Sequence, residues 1–219
     1  MGVEKFLKQR AVNIAVDGSY TLSRWYGPDG RLRSFACRTR RVSPFRMIVD
    51  VPVVGRKGDS LSVSFSEFGE FEGNITDTMQ GSFLLELEMT RKQRAQLANK
   101  LTWLEKKLKD PTVRDGRQDA RFIPEASHST LTLADGSVHS CFIIDMSLSG
   151  AAVSAELQPP IGMPLAIGAC VGRVVRNFET GFAVKFVERR NLDDLTRLIV
   201  RMVEKQNGSA KSEPVSSGP

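Results

Sequence analysis

Apolar and polar residues alternate with a period of two through much of this chain. Leu61, Val63 and Phe65 alternate with Ser62, Ser64 and Ser66, and Phe83, Leu85 and Leu87 with Leu84, Glu86 and Glu88. Side chains two apart share one face of a strand, so both runs predict half-buried β-strands. Phe35-Ala36-Cys37-Arg38 reads as another strand, and Val12, Ile14 and Val16 carry the spacing of a first one. From Thr90 the period lengthens: Leu97, Leu101, Leu104 and Leu108 fall on one helical face among many Lys and Arg. Asp110-Pro111 should end that helix.

The second half repeats the plan. Asp135-Gly136 marks a turn between strands as Asp29-Gly30 does, and Phe182, Val184 and Phe186 alternate as Phe83, Leu85 and Leu87 do. Asn191 can cap a helix with a face of Leu195, Leu198, Ile199, Met202 and Val203. Cys37 through Ser43 lies over Cys141 through Ser147 at an offset of 104 (141 − 37), and Gly73 over Gly172 and Phe83 over Phe182 at an offset of 99 (182 − 83). Two barrel-plus-helix units of about a hundred residues each are expected. Their bounds are 10–108 and 122–206, with a linker at 109–121 and a polar tail at 207–219 that should be disordered.

The chemistry concentrates between Arg114 and Gly150. Arg117 and Arg121 form Arg-x-x-x-Arg in a segment broken by Pro111, Gly116 and Pro124, which disfavours a helix and leaves a loop. A loop lets two guanidinium forks converge on one object, and each fork fits phosphate oxygens or the O6/N7 edge of guanine. Asp145, Ser147 and Gly150 form Asp-x-Ser-x-x-Gly after the apolar run Cys141-Phe142-Ile143-Ile144. A carboxylate at that strand end can accept from guanine N–H groups, and Ser147 can meet a phosphate. Gly150 permits positive φ or close approach of a ligand. Arg114 and Ser149 are further candidates. The same Asp, Ser and Gly also make ordinary turn chemistry, and an Arg pair on its own is commonly a solvated surface.

Together, and in this order, the two motifs resemble the PilZ domain, the bacterial receptor module for cyclic di-GMP. The resemblance is good from about 114 to 206 and weaker from 10 to 108. It implies a mainly β fold of two tandem six-stranded antiparallel barrels, each followed by a helix, the first one degenerate. It implies that Arg117 and Arg121 clamp guanine and phosphate, that Asp145 reads a guanine edge, that Ser147 meets phosphate or ribose, and that Gly150 leaves room. By the offset of 104, the first unit has Arg41 in place of Asp145, Arg46 in place of Gly150, and Asn13 and Asp17 in place of the Arg pair, while Ser43 matches Ser147. The first unit should therefore not bind this ligand, which leaves it a scaffold or a protein contact. The expected function is a cyclic di-GMP receptor whose linker is ordered by the ligand, changing the arrangement of the barrels and signalling to a downstream protein.

Composition narrows the alternatives. The 31 Lys and Arg exceed the 25 Asp and Glu, giving +6, which suits an anionic partner without choosing among nucleotide, nucleic acid and membrane surface. No apolar run approaches the ~20 residues of a membrane helix, and membrane insertion is not expected. Three widely spaced Cys and two His (His128, His139) argue against a disulfide framework, a metal site or nucleophile–base catalysis, so neither an enzyme nor a metal is expected. A reducing cytoplasm fits. The competing reading is a basic small barrel that binds nucleic acid, or a protein adaptor without nucleotide sensing. Aromatics at 7%, with none interleaved in a basic strand, disfavour the nucleic-acid version.

Overall fold

The computed structural model describes Gly2, Glu4, residues 11–27, 29–108, 122–124 and 127–188, and Leu195. The first unit comprises β1 (Val12–Asn13), β2 (Asp17–Tyr26), β3 (Leu32–Val42), β4 (Arg46–Asp50), β5 (Ser60–Phe65), β6 (Gly69–Met79), β7 (Ser82–Glu88) and α1 (Arg91–Leu108). The second comprises β8 (His128–Leu133), β9 (Val138–Ser147), β10 (Gly150–Ala155), β11 (Pro164–Ile167), β12 (Cys170–Phe178) and β13 (Gly181–Phe186). All pairings are antiparallel.

Both units close into six-stranded barrels. In the first the order is β3-β2-β5-β6-β7-β4, closed by the β3–β4 pairing, with β1 added beside β3; in the second it is β9-β8-β11-β12-β13-β10. The period-two alternation is the cause. Leu61, Val63 and Phe65 enter one core, and Phe182, Val184 and Phe186 the other, while their neighbours face out. Tyr20, Phe35 and Phe83 pack together in the first core, Phe35 tilted and Phe83 edge-on to Tyr20, with ring centroids 5.6 and 5.7 Å from it.

Helix α1 starts where Thr90 and Gln93 cap each other: Thr90 N donates to Gln93 Oε1 at 2.9 Å and Gln93 N to Thr90 Oγ1 at 3.3 Å. Leu97, Leu101 and Leu104 are buried in the first core, so the leucine stripe packs on its own barrel; the Leu108 side chain lies outside the described residues. Of the helix expected after Asn191, only Leu195 is described; it is helical and buried in the second core. The linker 109–121 and the tail 207–219 also lie outside the described residues.

The repeat holds at the level of register. Arg40 in β3 and Ile144 in β9, 104 apart, are each the extra residue of a β-bulge: Thr39 pairs with Val49 and Arg41 with Ile48, as Ile143 pairs with Val153 and Asp145 with Ala152. A second pair of bulges falls at Thr76 and Val175, 99 apart. A Cβ at Gly73 would meet the Glu86 carbonyl at 2.3 Å, and one at Gly172 the Lys185 carbonyl at 2.6 Å, so both glycines serve the same close strand approach. The constant offset fails upstream. Val12 pairs with Val42 as Phe122 pairs with Met146, which is an offset of 110 (122 − 12). Ala11 and Leu7, not Asn13 and Asp17, are thus the sequence counterparts of Arg121 and Arg117.

The sequence points to the linker as the element that sets the angle between barrels; the structure adds a direct interface. Residues Ser34 to Thr39 of β3 and Ala151 to Ala155 of β10 are buried on both faces, and the outward Ala36, Arg38 and Ser154 are covered by the other barrel. Ala36 N donates to Ser154 Oγ at 3.2 Å. Arg33 Nη2 donates to the carbonyls of Ala155 at 2.8 Å and Leu157 at 3.4 Å, and its Nη1 to that of Glu156. Burial lowers the Arg33 pKa from its ordinary value.

Candidate functional site

The β9–β10 hairpin places the second motif. Cys141, Ile143 and Met146 point into the core. Strict alternation would send Asp145 inward and Met146 outward. The bulge at Ile144 resets the phase, so Asp145 and Ser147 both leave the barrel on its outer face. Ser147 then closes the two-residue turn. Its Oγ accepts from Ser149 N at 3.4 Å, donates to the Gly150 carbonyl at 3.4 Å and lies 3.3 Å from Ser149 Oγ. This is the turn chemistry that the sequence left open beside ligand binding. The Ser149 carbonyl is taken by Phe186 N at 2.9 Å, which ties the turn to β13.

Gly150 is explained differently from either sequence-based reason. Its φ is not among the positive ones, and a Cβ there would meet the Val184 carbonyl at 2.3 Å. What approaches this glycine is the backbone of β13, so its absence of a side chain lets two strands pack.

Register also brings in residues that the sequence does not single out. Ser147 pairs with Gly150, Gly150 with Lys185 and Lys185 with Arg173, forming one row across the outer face. Asp145, Ala152, Ala183 and Arg176 form the next row. Lys185, Arg173 and Arg176 are exposed. Arg173 Nη1 donates to the Gly162 carbonyl at 3.1 Å, and the Arg176 guanidinium lies 5.9 Å from the Phe178 ring centroid. Two polar acceptors at one side, small residues between, and three cations at the other make a surface suited to an anion that also carries donors. Only the two-residue periodicity of β12 and β13, joined to a known register, would reveal this row.

Arg114, Arg117 and Arg121 lie outside the described residues, but the end of their segment does not. Phe122 forms an isolated bridge with Met146: Phe122 N donates to the Met146 carbonyl at 2.9 Å, and Met146 N to the Phe122 carbonyl at 3.0 Å. The chain that carries the arginines is therefore fastened one residue from Asp145.

The cysteines and histidines stay out of this site. Cys37, Cys141 and Cys170 are free and buried; burial raises the Cys37 thiol pKa and pushes Cys141 up to about 12. His139 lies 3.2 Å from Ser137 Oγ, and His128 is partly buried where the barrels meet. Among the described residues no group of three His, Cys, Asp or Glu could hold a metal ion, and no helix is long and apolar enough to cross a membrane.

Comparison with known proteins gives one family: residues 115–205 match the PilZ domain. No curated protein sequence matches the chain. Similar solved structures include PlzA of Borreliella burgdorferi in complex with c-di-GMP, at 13% identity and a TM-score of 0.27, covering 91% of this chain and 90% of that one. The inhibitor of motility MotI/DgrA of Bacillus subtilis gives 13% and 0.29, covering 91% and 100%. YcgR of Escherichia coli in complex with c-di-GMP gives 11% and 0.27, covering 90% and 85%. With both motifs in order, a closed six-stranded barrel and the family match over the same residues, the C-terminal barrel and the segment leading into it belong to the PilZ domain family.

Proposed function

We propose that this protein is a cyclic di-GMP receptor, that the ligand binds on the outer face of the second barrel, and that binding changes how the two barrels are arranged for a downstream protein. The observation that carries the reading is the Phe122–Met146 bridge beside Asp145. Arg121 is covalently next to Phe122, so their Cα atoms are about 3.8 Å apart, and Arg117 lies within about 17 Å of Phe122 along the chain. Both guanidiniums can reach a ligand that Asp145 also contacts.

In this reading Arg117 and Arg121 grip phosphate and guanine, and Asp145 accepts from guanine N1–H and N2–H. Ser147 offers its hydroxyl to a phosphate. Arg114 and Ser149 lie close enough in sequence to add contacts. Lys185, Arg173 and Arg176 supply the positive field in which a dianion settles. A ligand gripped by Arg117 and Arg121 on the second barrel pulls on the 109–121 segment that joins the barrels, and so acts on their interface.

Isothermal titration of the full chain with cyclic di-GMP tests it. Arg117→Ala and Arg121→Ala should each weaken binding about tenfold or more, in line with about 1–3 kcal/mol for a lost bidentate arginine, with unchanged thermal unfolding. Wild-type affinity in both variants overturns the reading. Small-angle scattering should change when the ligand saturates, and an unchanged profile overturns the rearrangement alone.

A further inference from the structure

Arg38 is 3% exposed, yet it carries a guanidinium. A buried cation costs stability unless its donors are placed. Nε donates to Asp17 Oδ1 at 2.5 Å, Nη1 to Ser127 Oγ at 2.6 Å and Nη2 to the Ile144 carbonyl at 2.6 Å. Its guanidinium carbon also lies 5.3 Å from the centroid of Phe142, the residue that replaces it in the second barrel. Three of these four contacts cross from the first barrel to the second.

The Ile144 contact is the informative one. Ile144 is the bulge residue of β9, and its carbonyl belongs to the same peptide plane as Asp145 N. The orientation of that plane helps set the direction in which Asp145 leaves the strand. Arg33 offers a natural contrast. It clamps the same interface, but through the carbonyls of Ala155, Glu156 and Leu157 at the far end of β10.

We infer that Arg38 is a positioning residue for the ligand site: from the first barrel it fixes the Ile144–Asp145 peptide, and through that peptide ligand binding and barrel docking are coupled. The inference rests on the cyclic di-GMP reading above. Coupling is reciprocal, so loosening the Arg38 contact lowers ligand affinity, and bound ligand tightens β3 of the first barrel, which the ligand does not touch.

The test uses the full chain with Arg38→Met, which keeps an apolar stem and removes the donors, and Arg33→Met as the interface control. Calorimetry with cyclic di-GMP should show binding about fivefold weaker or more in Arg38→Met, at the low end of ordinary coupling, and within about twofold of wild type in Arg33→Met. Hydrogen exchange adds a readout that loss of packing alone would not give: ligand should slow exchange of the 34–39 amides in wild type and Arg33→Met, but not in Arg38→Met. Should Arg38→Met fail to fold, Arg38→Lys keeps the charge without the fork, and is expected to bind about two- to fivefold more weakly. Wild-type affinity in the folded Arg38 variants, or equal losses in the Arg33 and Arg38 variants, overturns the coupling while leaving the site intact. A wild-type chain that takes up no cyclic di-GMP overturns the site and the coupling together.

Discussion

The two barrels carry the same hairpin with opposite charge. In the second barrel, β9 and β10 present Asp145, Ser147 and Gly150, and Lys185 stands across from Gly150. In the first, β3 and β4 present Arg41, Ser43 and Arg46, and Glu86 stands across from Arg46. The scaffold is shared down to the bulge and the hydroxyl-closed turn: Ser43 Oγ accepts from Arg46 N at 3.1 Å and Phe45 N at 3.3 Å, and the Phe45 carbonyl accepts from Leu87 N at 2.9 Å, as that of Ser149 does from Phe186 N. The difference is how the surface is used. Arg46 Nη2 pairs with Glu86 Oε2 at 3.2 Å, and Arg41 Nη1 donates to Asn13 Oδ1 at 3.2 Å, so the first barrel pairs its hairpin charges with its own side chains. The second leaves a glycine beside an exposed lysine. One architecture thus carries two different sets of hairpin side chains, and in the proposed reading a few of them decide which barrel takes the ligand.

Exchanging those side chains should break the comparison. Asp145→Arg, which installs the first barrel's residue, sets a donor against guanine N–H donors; cyclic di-GMP affinity should fall about a hundredfold or more, the combined effect of a lost acceptor and a mismatched charge. Titration with retained affinity would remove Asp145 from the site. Next in size is the steric contrast. Gly150→Ala places a Cβ against the Val184 carbonyl, and overpacking of that kind should cost about 1–3 kcal/mol in chemical denaturation. Arg46→Ala in the first barrel removes a partly exposed ion pair with Glu86, whose loss should cost about 1 kcal/mol or less. Equal costs would mean that the two hairpins are not packed as described.

The smallest effect is a pH dependence at the seam. The His128 pKa is lowered, first by burial; Asp50 raises it, Arg40 lowers it, and the Gly81 backbone raises it. The folded protein therefore holds His128 neutral at pH values where the unfolded chain, with a pKa of about 6.5, takes up a proton. Stability should fall as pH drops from about 6.5 toward the lowered folded value, and be fully present above it. Thermal unfolding of wild type and His128→Gln across this window should show a smaller acid loss in the variant; identical profiles would place the pH sensitivity elsewhere.

Much of this was legible in the sequence. Period-two runs such as Leu61, Val63 and Phe65 gave the strands, Leu97, Leu101 and Leu104 the packed helix face, and Cys37 over Cys141 the repeat. The interface was not. Ala36, Arg38 and Ser154 look like ordinary outward residues of a barrel strand, and only the approach of a second barrel buries them. The cation row of Lys185, Arg173 and Arg176 was hidden because it is assembled across strands, through register that bulges shift. Gly150 was legible as a position that needs room, but not that the neighbour in question is strand β13, which only the register shows.

The most direct measurement is a calorimetric titration of the full chain with cyclic di-GMP beside two arginine variants, one in the segment that precedes the second barrel in sequence and one in the first barrel. Saturable binding that is weakened about tenfold or more by Arg121→Ala, and left unchanged by Arg41→Ala, is the predicted result. Binding that survives Arg121→Ala, or that disappears with Arg41→Ala, would contradict the assignment of the ligand to the second barrel.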